Sequence, residues 1–227
     1  MPLNELPLAT ALIFLFSVVW CLFWALVATG SRVFIIILAV LGATHWILAD
    51  AGFYMDRRSV PPVQLLVLLP TLLSLAGLSA MASGRKWLAG AAPVALVMVH
   101  VARIPVELTL HSAYLHGAVP RGMTFLGHNF DILSGISAAF LAAWMLGRKP
   151  PGRHVLIAWN VICLALLAIV VVTAVRSIPS SIQTLNFDRP NVLVTRTPYI
   201  LLPALIVPVV LWAHVAALFG LFGKHQR

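Results

Sequence analysis

Long runs of apolar residues, broken by short polar or proline-rich stretches, account for almost the whole chain, and their spacing predicts helices rather than strands. A helix needs about 20 apolar residues to cross the roughly 30 Å hydrocarbon core of a bilayer. Seven runs meet that length or approach it: Pro7 to Thr29, Val33 to Tyr54, Pro61-Pro62 to Ala82, Trp87 to Leu115, Asn129 to Leu146, His154 to Val175, and Tyr199 to Phe222. The predicted fold is therefore all-α, an integral membrane bundle of seven transmembrane helices forming a single domain over residues 1–227. Proline is tolerated in a helix's first turn, so Pro61-Pro62 opens the third span. The fourth run is long for a span and is interrupted by Pro105, which predicts a bend, a tilt or a projecting end. No Lys or Arg precedes the first run, so it lacks the basic start of a secretory signal and reads as a span. About twenty residues rich in Ser, Pro and Asn separate the sixth and seventh runs, long enough to be functional or to lie across the surface.

Composition agrees with the pattern. Of 227 residues, 61% are hydrophobic and 9% charged, with mean hydropathy +1.01; soluble domains carry about 25% charged residues. The net charge of +9 would suggest nucleic acid in a soluble protein. Here the basic residues sit in connections between apolar runs, so the expected partners are membrane lipids, with no nucleic acid. Seven spans put the termini on opposite sides. Arg32, Arg85, Lys86, Arg148, Lys149, Arg153, Lys224 and Arg227 share the C-terminal side, whereas Arg57, Arg58, Arg121, Arg176, Arg189 and Arg196 share the other. The positive-inside rule then predicts an integral membrane protein with its N-terminus outside and its C-terminus cytoplasmic. Tyr54, Tyr114 and Tyr199 all fall near the outer interface, as aromatic-belt residues would. Cys21 and Cys163 lie in separate apolar runs and read as packing residues.

Candidate chemistry concentrates between His100 and Asp131. At 100° per residue, His100, Arg103, Glu107, His111 and Tyr114 form one stripe on the fourth helix, with His116 on the other side. A charge at the bilayer centre costs about 2.5–3.5 kcal/mol on insertion scales, so the stripe is expected to face the bundle. Pro105 cannot donate to the carbonyl of Val101, which leaves an acceptor free beside it. Topology brings Asp50, Glu107 and Asp131 into the same leaflet, three of only six acidic residues, each with a histidine nearby: His45, His111 and His128.

Two chemistries fit this set. Glu107, His111 and Asp131, completed by Asp50 or His45, have donors for a divalent metal such as zinc with an open position for water. Without metal, Glu107 or Asp131 serves as a general acid, His100 or His111 moves protons, and Arg103 holds a phosphate or carboxylate headgroup. Structural readings stand beside these. Arg103 and Glu107, four apart, would neutralise one another; Asn129 and Asp131 would cap the fifth helix; His45 would be a hydrogen-bonded core residue; Asp50 would be solvated; Asn160 and His214 would tie helices together near the C-terminal side. The co-location of so many polar groups on one face favours a site.

Arg103-Ile104-Pro105-Val106-Glu107, the string Met123 to Ile132 and the proline-punctuated last span resemble an uncharacterised family of small bacterial polytopic inner-membrane proteins. The resemblance covers most of the chain and implies no activity or cofactor. The paired histidines of ceramidase-like hydrolases and the last-helix lysine of microbial rhodopsins are missing, and membrane terpene cyclases are analogous only in size. The functional expectation is an intramembrane enzyme acting on a lipid or isoprenoid-like substrate from the outer leaflet, with a small apolar or amphiphilic ligand. The alternatives are a proton- or ion-coupled transporter or ligand-binding protein using the same cavity, and, ranked below it, a b-type haem protein ligated through His45, His100 or His214.

Overall fold

The structure is a computed structural model that describes residues 6–80 and 90–223. Seven helices carry the described chain: α1 Leu8–Thr29, α2 Arg32–Asp50, α3 Val63–Ala80, α4 Pro93–Leu115, α5 Asp131–Met145, α6 Arg153–Ser177 and α7 Leu202–Phe222. No strand occurs among the described residues. Six of the helices are long and apolar enough to cross a membrane, and α5, with 15 residues, is shorter. Such a set is compatible with an integral membrane protein. The expected turn at Gly84-Arg85-Lys86, the end of the third span at Ala82, the start of the fourth at Trp87, and Lys224 and Arg227 lie outside the described residues.

Local chemistry sets the helix ends. Gly30, at φ +63°, closes α1 by donating to the Leu26 carbonyl, and the Ser31 hydroxyl accepts the Phe34 N–H to open α2. The second span ends earlier than its apolar run, at Asp50, because Gly52 turns the chain at φ +78° into a short 3₁₀ turn, Phe53–Met55. That turn tucks Tyr54 inside, its hydroxyl 2.6 Å from His45 Nδ1, and burial pushes the Tyr54 phenol up to about 12. Tyr199 is buried as well, against the Phe14 ring. Neither tyrosine belongs to an outward-facing aromatic belt; Tyr114 is half-buried beneath Arg189.

α4 is the hub, packed on α1, α5 and α7. Trp20 Nε1 donates to the Met98 carbonyl at 2.9 Å, and the Thr10 and Ser112 hydroxyls meet at 2.7 Å, so α1 is tied to both halves of α4. α1 buries Phe14, Val18, Cys21 and Ala25 against it and turns Leu8, Leu12, Phe16, Val19, Phe23 and Val27 outward. Similar apolar residues cover the outer faces of α2 and α6, while His45, His100, Arg103, Glu107, Asn129, Asp131, Asn160 and His214 are buried. An apolar exterior of this extent is foreign to a soluble monomer.

Proline shapes the two helices that matter most for the site. One 3₁₀ turn, His100–Ala102, interrupts α4 in the turn that Pro105 cannot complete. In α7, Pro208 frees the Ala204 carbonyl, and the Thr71 hydroxyl of α3 fills it at 2.7 Å. The α7 start, Leu202–Ile206, is a π-helical turn around Pro203.

Candidate functional site

The connection from α4 to α5 does not stay outside the bundle. Asn129 donates through Nδ2 to Glu107 Oε1 at 2.6 Å and to the Met123 carbonyl at 3.0 Å. Glu107 lies eight residues before the end of α4, about 12 Å along its axis, so the connector folds back into the bundle beside α4. Asn129 Oδ1 also accepts the Asp131 N–H at 3.0 Å, which starts α5 at that depth. Gly127 closes the connector on itself, because a Cβ there would strike the Arg121 carbonyl and lie 2.8 Å from Gly122 Cα. Irregular backbone inside a membrane bundle is tolerated where protein or a cavity satisfies it.

Asp131, freed from capping by Asn129, turns its carboxylate to Arg103: Nη1 to Oδ1 is 2.6 Å, with both side chains buried. The same Nη1 lies 3.5 Å from the Cys163 carbonyl on α6, and Nη2 donates to His214 Nε2 on α7 at 3.1 Å. His214 Nδ1 lies 2.8 Å from Asn160 Oδ1. The His100 ring stacks on His214 with centroids 3.9 Å apart, and Trp159 packs its edge on His100 and donates to Ser137 at 2.9 Å. Four helices thus meet in one buried polar layer.

Above this layer, toward the end of the bundle where α1 begins, lies an apolar cleft. Its inner end is formed by Arg103, Glu107 and Asp131; its sides by Leu65, Val67 and Leu68 of α3 and Leu167, Val171 and Ala174 of α6; its back by Leu202, Ile206 and Val210 of α7. α3 packs on α2 and α7, and α6 on α5 and α7, so the cleft lies between two helices that share α7 as a support. It runs from the level of Leu167 to that of Ile178, about 16 Å. The centre of a water-sized sphere can move through about 80 Å³ of it, room for a slender chain rather than a ring system. Glu107 presents one oxygen to Asn129, while its buried Oε2 has no partner among the described residues, nor does Arg103 Nε.

The predicted site residues divide accordingly. Arg103, Glu107 and Asp131 come together at the cleft. His100 sits behind Arg103 in the polar layer, and His111 stacks on Phe125, centroids 4.7 Å apart, away from the cleft lining. Asp50 is exposed, with the Thr197 hydroxyl at 3.5 Å, and His45 is committed to Tyr54. Glu107, His111, Asp131, Asp50 and His45 therefore do not assemble as a metal set, and no three His, Cys, Asp or Glu side chains group at ligand spacing among the described residues. The expected common depth did not bring them together: His45 is held by Tyr54, His111 lies against Phe125 and Asp50 is exposed. Arg103 pairs with Asp131 rather than with Glu107, its two terminal nitrogens bonded to Asp131 and His214 and its Nε without a partner among the described residues. His100 and His214 lie at one depth, contrary to the expected difference, but their face-to-face stacking leaves no room for a porphyrin between them.

His214 and Asn160 tie α7 to α6 as expected; sequence reasoning missed their link to Arg103, and Asn129 as the partner of Glu107. In the folded helices Arg103 and His214 each lie within two residues of the middle of α4 and α7, a depth that the apolar runs do not mark. Residues 60–222 match a protein family described as a domain of unknown function, DUF8737. No curated protein and no solved structure matches the chain.

Proposed function

The chain belongs to this DUF8737 family, and for it we propose an intramembrane enzyme that performs general acid–base chemistry on a lipid or isoprenoid-like substrate held in the apolar cleft. The reading places seven spans in a bacterial inner membrane, with the N-terminus and the cleft mouth outside and the C-terminus in the cytoplasm. The single observation that carries it is Glu107: a buried carboxyl with one oxygen fixed by Asn129 and the other unpartnered where the cleft ends. A carboxyl held this way is oriented without being consumed, as a proton donor or acceptor must be. Arg103, fixed by Asp131, supplies a positive charge beside it that stabilises negative charge developing on a bound molecule. Asn129 is a positioning residue, because it acts through Glu107.

Incubating the purified full-length protein with a bacterial lipid extract supplemented with polyprenols and polyprenyl phosphates, and reading product masses, tests this. The wild type should convert at least one component, and Glu107→Gln should bind it yet convert it at least 100-fold more slowly. Equal conversion by Glu107→Gln removes the acid–base role.

A second reading, proton- or ion-coupled transport, is favoured by one observation: another cavity, lined by Pro93, Leu96, Asn160, Ala217 and Gly220, lies on the opposite side of the polar layer. Transport would require that layer to open. Absence of any conversion by the wild type, together with uptake of a labelled amphiphile into proteoliposomes, would favour it over the enzyme.

A further inference from the structure

The two cavities approach each other closely. The cleft reaches down to Arg103 on α4, Val210 on α7 and Leu167 on α6; the second cavity reaches up to Val97, Ala216 and Asn160 on the same helices. Six or seven residues on each helix separate them, about 9–10 Å. What fills that interval is the layer of Arg103, His214, Asn160 and His100. The second cavity gives the centre of a water-sized sphere about 270 Å³ and has Asn160 at its inner end.

The relay of hydrogen bonds from Arg103 through His214 to Asn160 runs one way, while Arg103 Nη1 donates to Asp131. A guanidinium has donors and no acceptor, so Arg103 Nη2–H must donate to His214 Nε2 and occupy its lone pair. His214 then carries its proton on Nδ1 and donates to Asn160 Oδ1, and Asn160 Nδ2 donates to the Leu156 carbonyl. A proton arriving from the second cavity finds no basic nitrogen of His214 open to it, and beyond His214 it meets a fixed cation. Asp131, the counter-charge, sits on the cleft side of the guanidinium. A charged arginine in a constriction is a recognised barrier to protons and cations.

We infer that the Arg103–His214–Asn160 layer is a proton- and cation-tight septum that insulates the cleft from the side of the membrane where α7 ends. The inference rests on the membrane-spanning reading but not on the chemistry assigned to Glu107. It gives a role to His214 and Asn160, two buried polar residues that the acid–base site does not use. It also fixes the cleft as the only one of the two cavities in proton contact with Glu107 and Asp131.

Full-length protein reconstituted into liposomes enclosing a pH-sensitive dye, under a potassium diffusion potential, provides the test. The wild type and Glu107→Gln should be as tight as empty liposomes, and Arg103→Gln with Asp131→Asn, which removes the charge while keeping the pair neutral, should raise proton flux at least tenfold. Arg103→Lys should restore tightness. A leaky wild type, or a folded neutral-pair variant as tight as the wild type, overturns the septum. In case the neutral pair does not fold, thiol accessibility on a background with Cys21 and Cys163 replaced by alanine gives a second measurement. A charged, impermeant reagent added on the α7 C-terminal side should label Ala217→Cys and leave Val210→Cys unlabelled; labelling of both overturns the septum. Failure of the protein to float with liposomes or resist carbonate extraction would instead count against the membrane-spanning reading.

Discussion

Arg103 is bonded from three sides, and its charge is matched by one carboxylate. Removing one member of such a pair strands the other in a low-dielectric interior, which costs about 3–5 kcal/mol, whereas replacing both by apolar residues of similar volume is often neutral. Arg103→Met alone should therefore lower stability by about that amount, and Arg103→Met with Asp131→Leu should recover most of it, read by denaturant unfolding in detergent. Asn129→Ala should cost about 1.5–3 kcal/mol by the same measurement, because it takes from a buried carboxyl its only partner among the described residues. The stripe itself was legible from the 3.6-residue period, since His100, Arg103 and Glu107 are all buried. The pairing was not: the period offers Arg103 a partner four residues away on its own helix, while the true partner lies 28 residues on, across a connector whose path no periodicity records.

The reason Asp131 is within reach is the contact between α4 and α5. A Cβ at Gly135 would lie 2.8 Å from Ile104 Cγ1, 3.0 Å from Ile104 N and 3.3 Å from Arg103 Cβ, so the absent side chain lets the two helices approach at the level of the ion pair. Gly135→Ala should force them apart, lower stability by about 1–3 kcal/mol, and loosen the pair. Gly77→Ala, where a Cβ meets nothing within 4 Å on α3, should be neutral or gain up to about 1 kcal/mol. Comparing the two unfolding curves separates helix propensity from close approach. Proline positions could be read from the sequence as places where a carbonyl is freed, but not what fills it; Thr71 of α3 answering Ala204 of α7 depends on which helices are neighbours.

For the molecule as a whole, the number of helices and the apolar exterior followed from run lengths, because a 20-residue apolar segment has few alternatives. Depth did not follow, since a run such as Trp87 to Leu115 has no marked centre, and His214 and Asn160 were therefore assigned away from Arg103. The connector before α5 was also invisible as an internal element, because its polar residues read as a loop.

The shortness of α5 bears on how the protein is made. On the membrane-spanning reading its 15 residues span about 22 Å, less than the hydrocarbon core, and it begins with an aspartate at a depth where a charge costs about 2.5–3.5 kcal/mol. Alone, α5 is a poor client for an insertion machinery that samples segments one at a time. With α4 already in place, Arg103 offers the aspartate a counter-ion, and Glu107 offers Asn129 an anchor. In a glycosylation-reporter insertion assay, α5 alone should remain largely uninserted, and Asp131→Leu or fusion behind α4 should rescue it. Efficient insertion of isolated α5 would remove this dependence. The residues that build the cleft floor would then also dictate an order of assembly, with the fourth helix acting as the host on which the fifth is received.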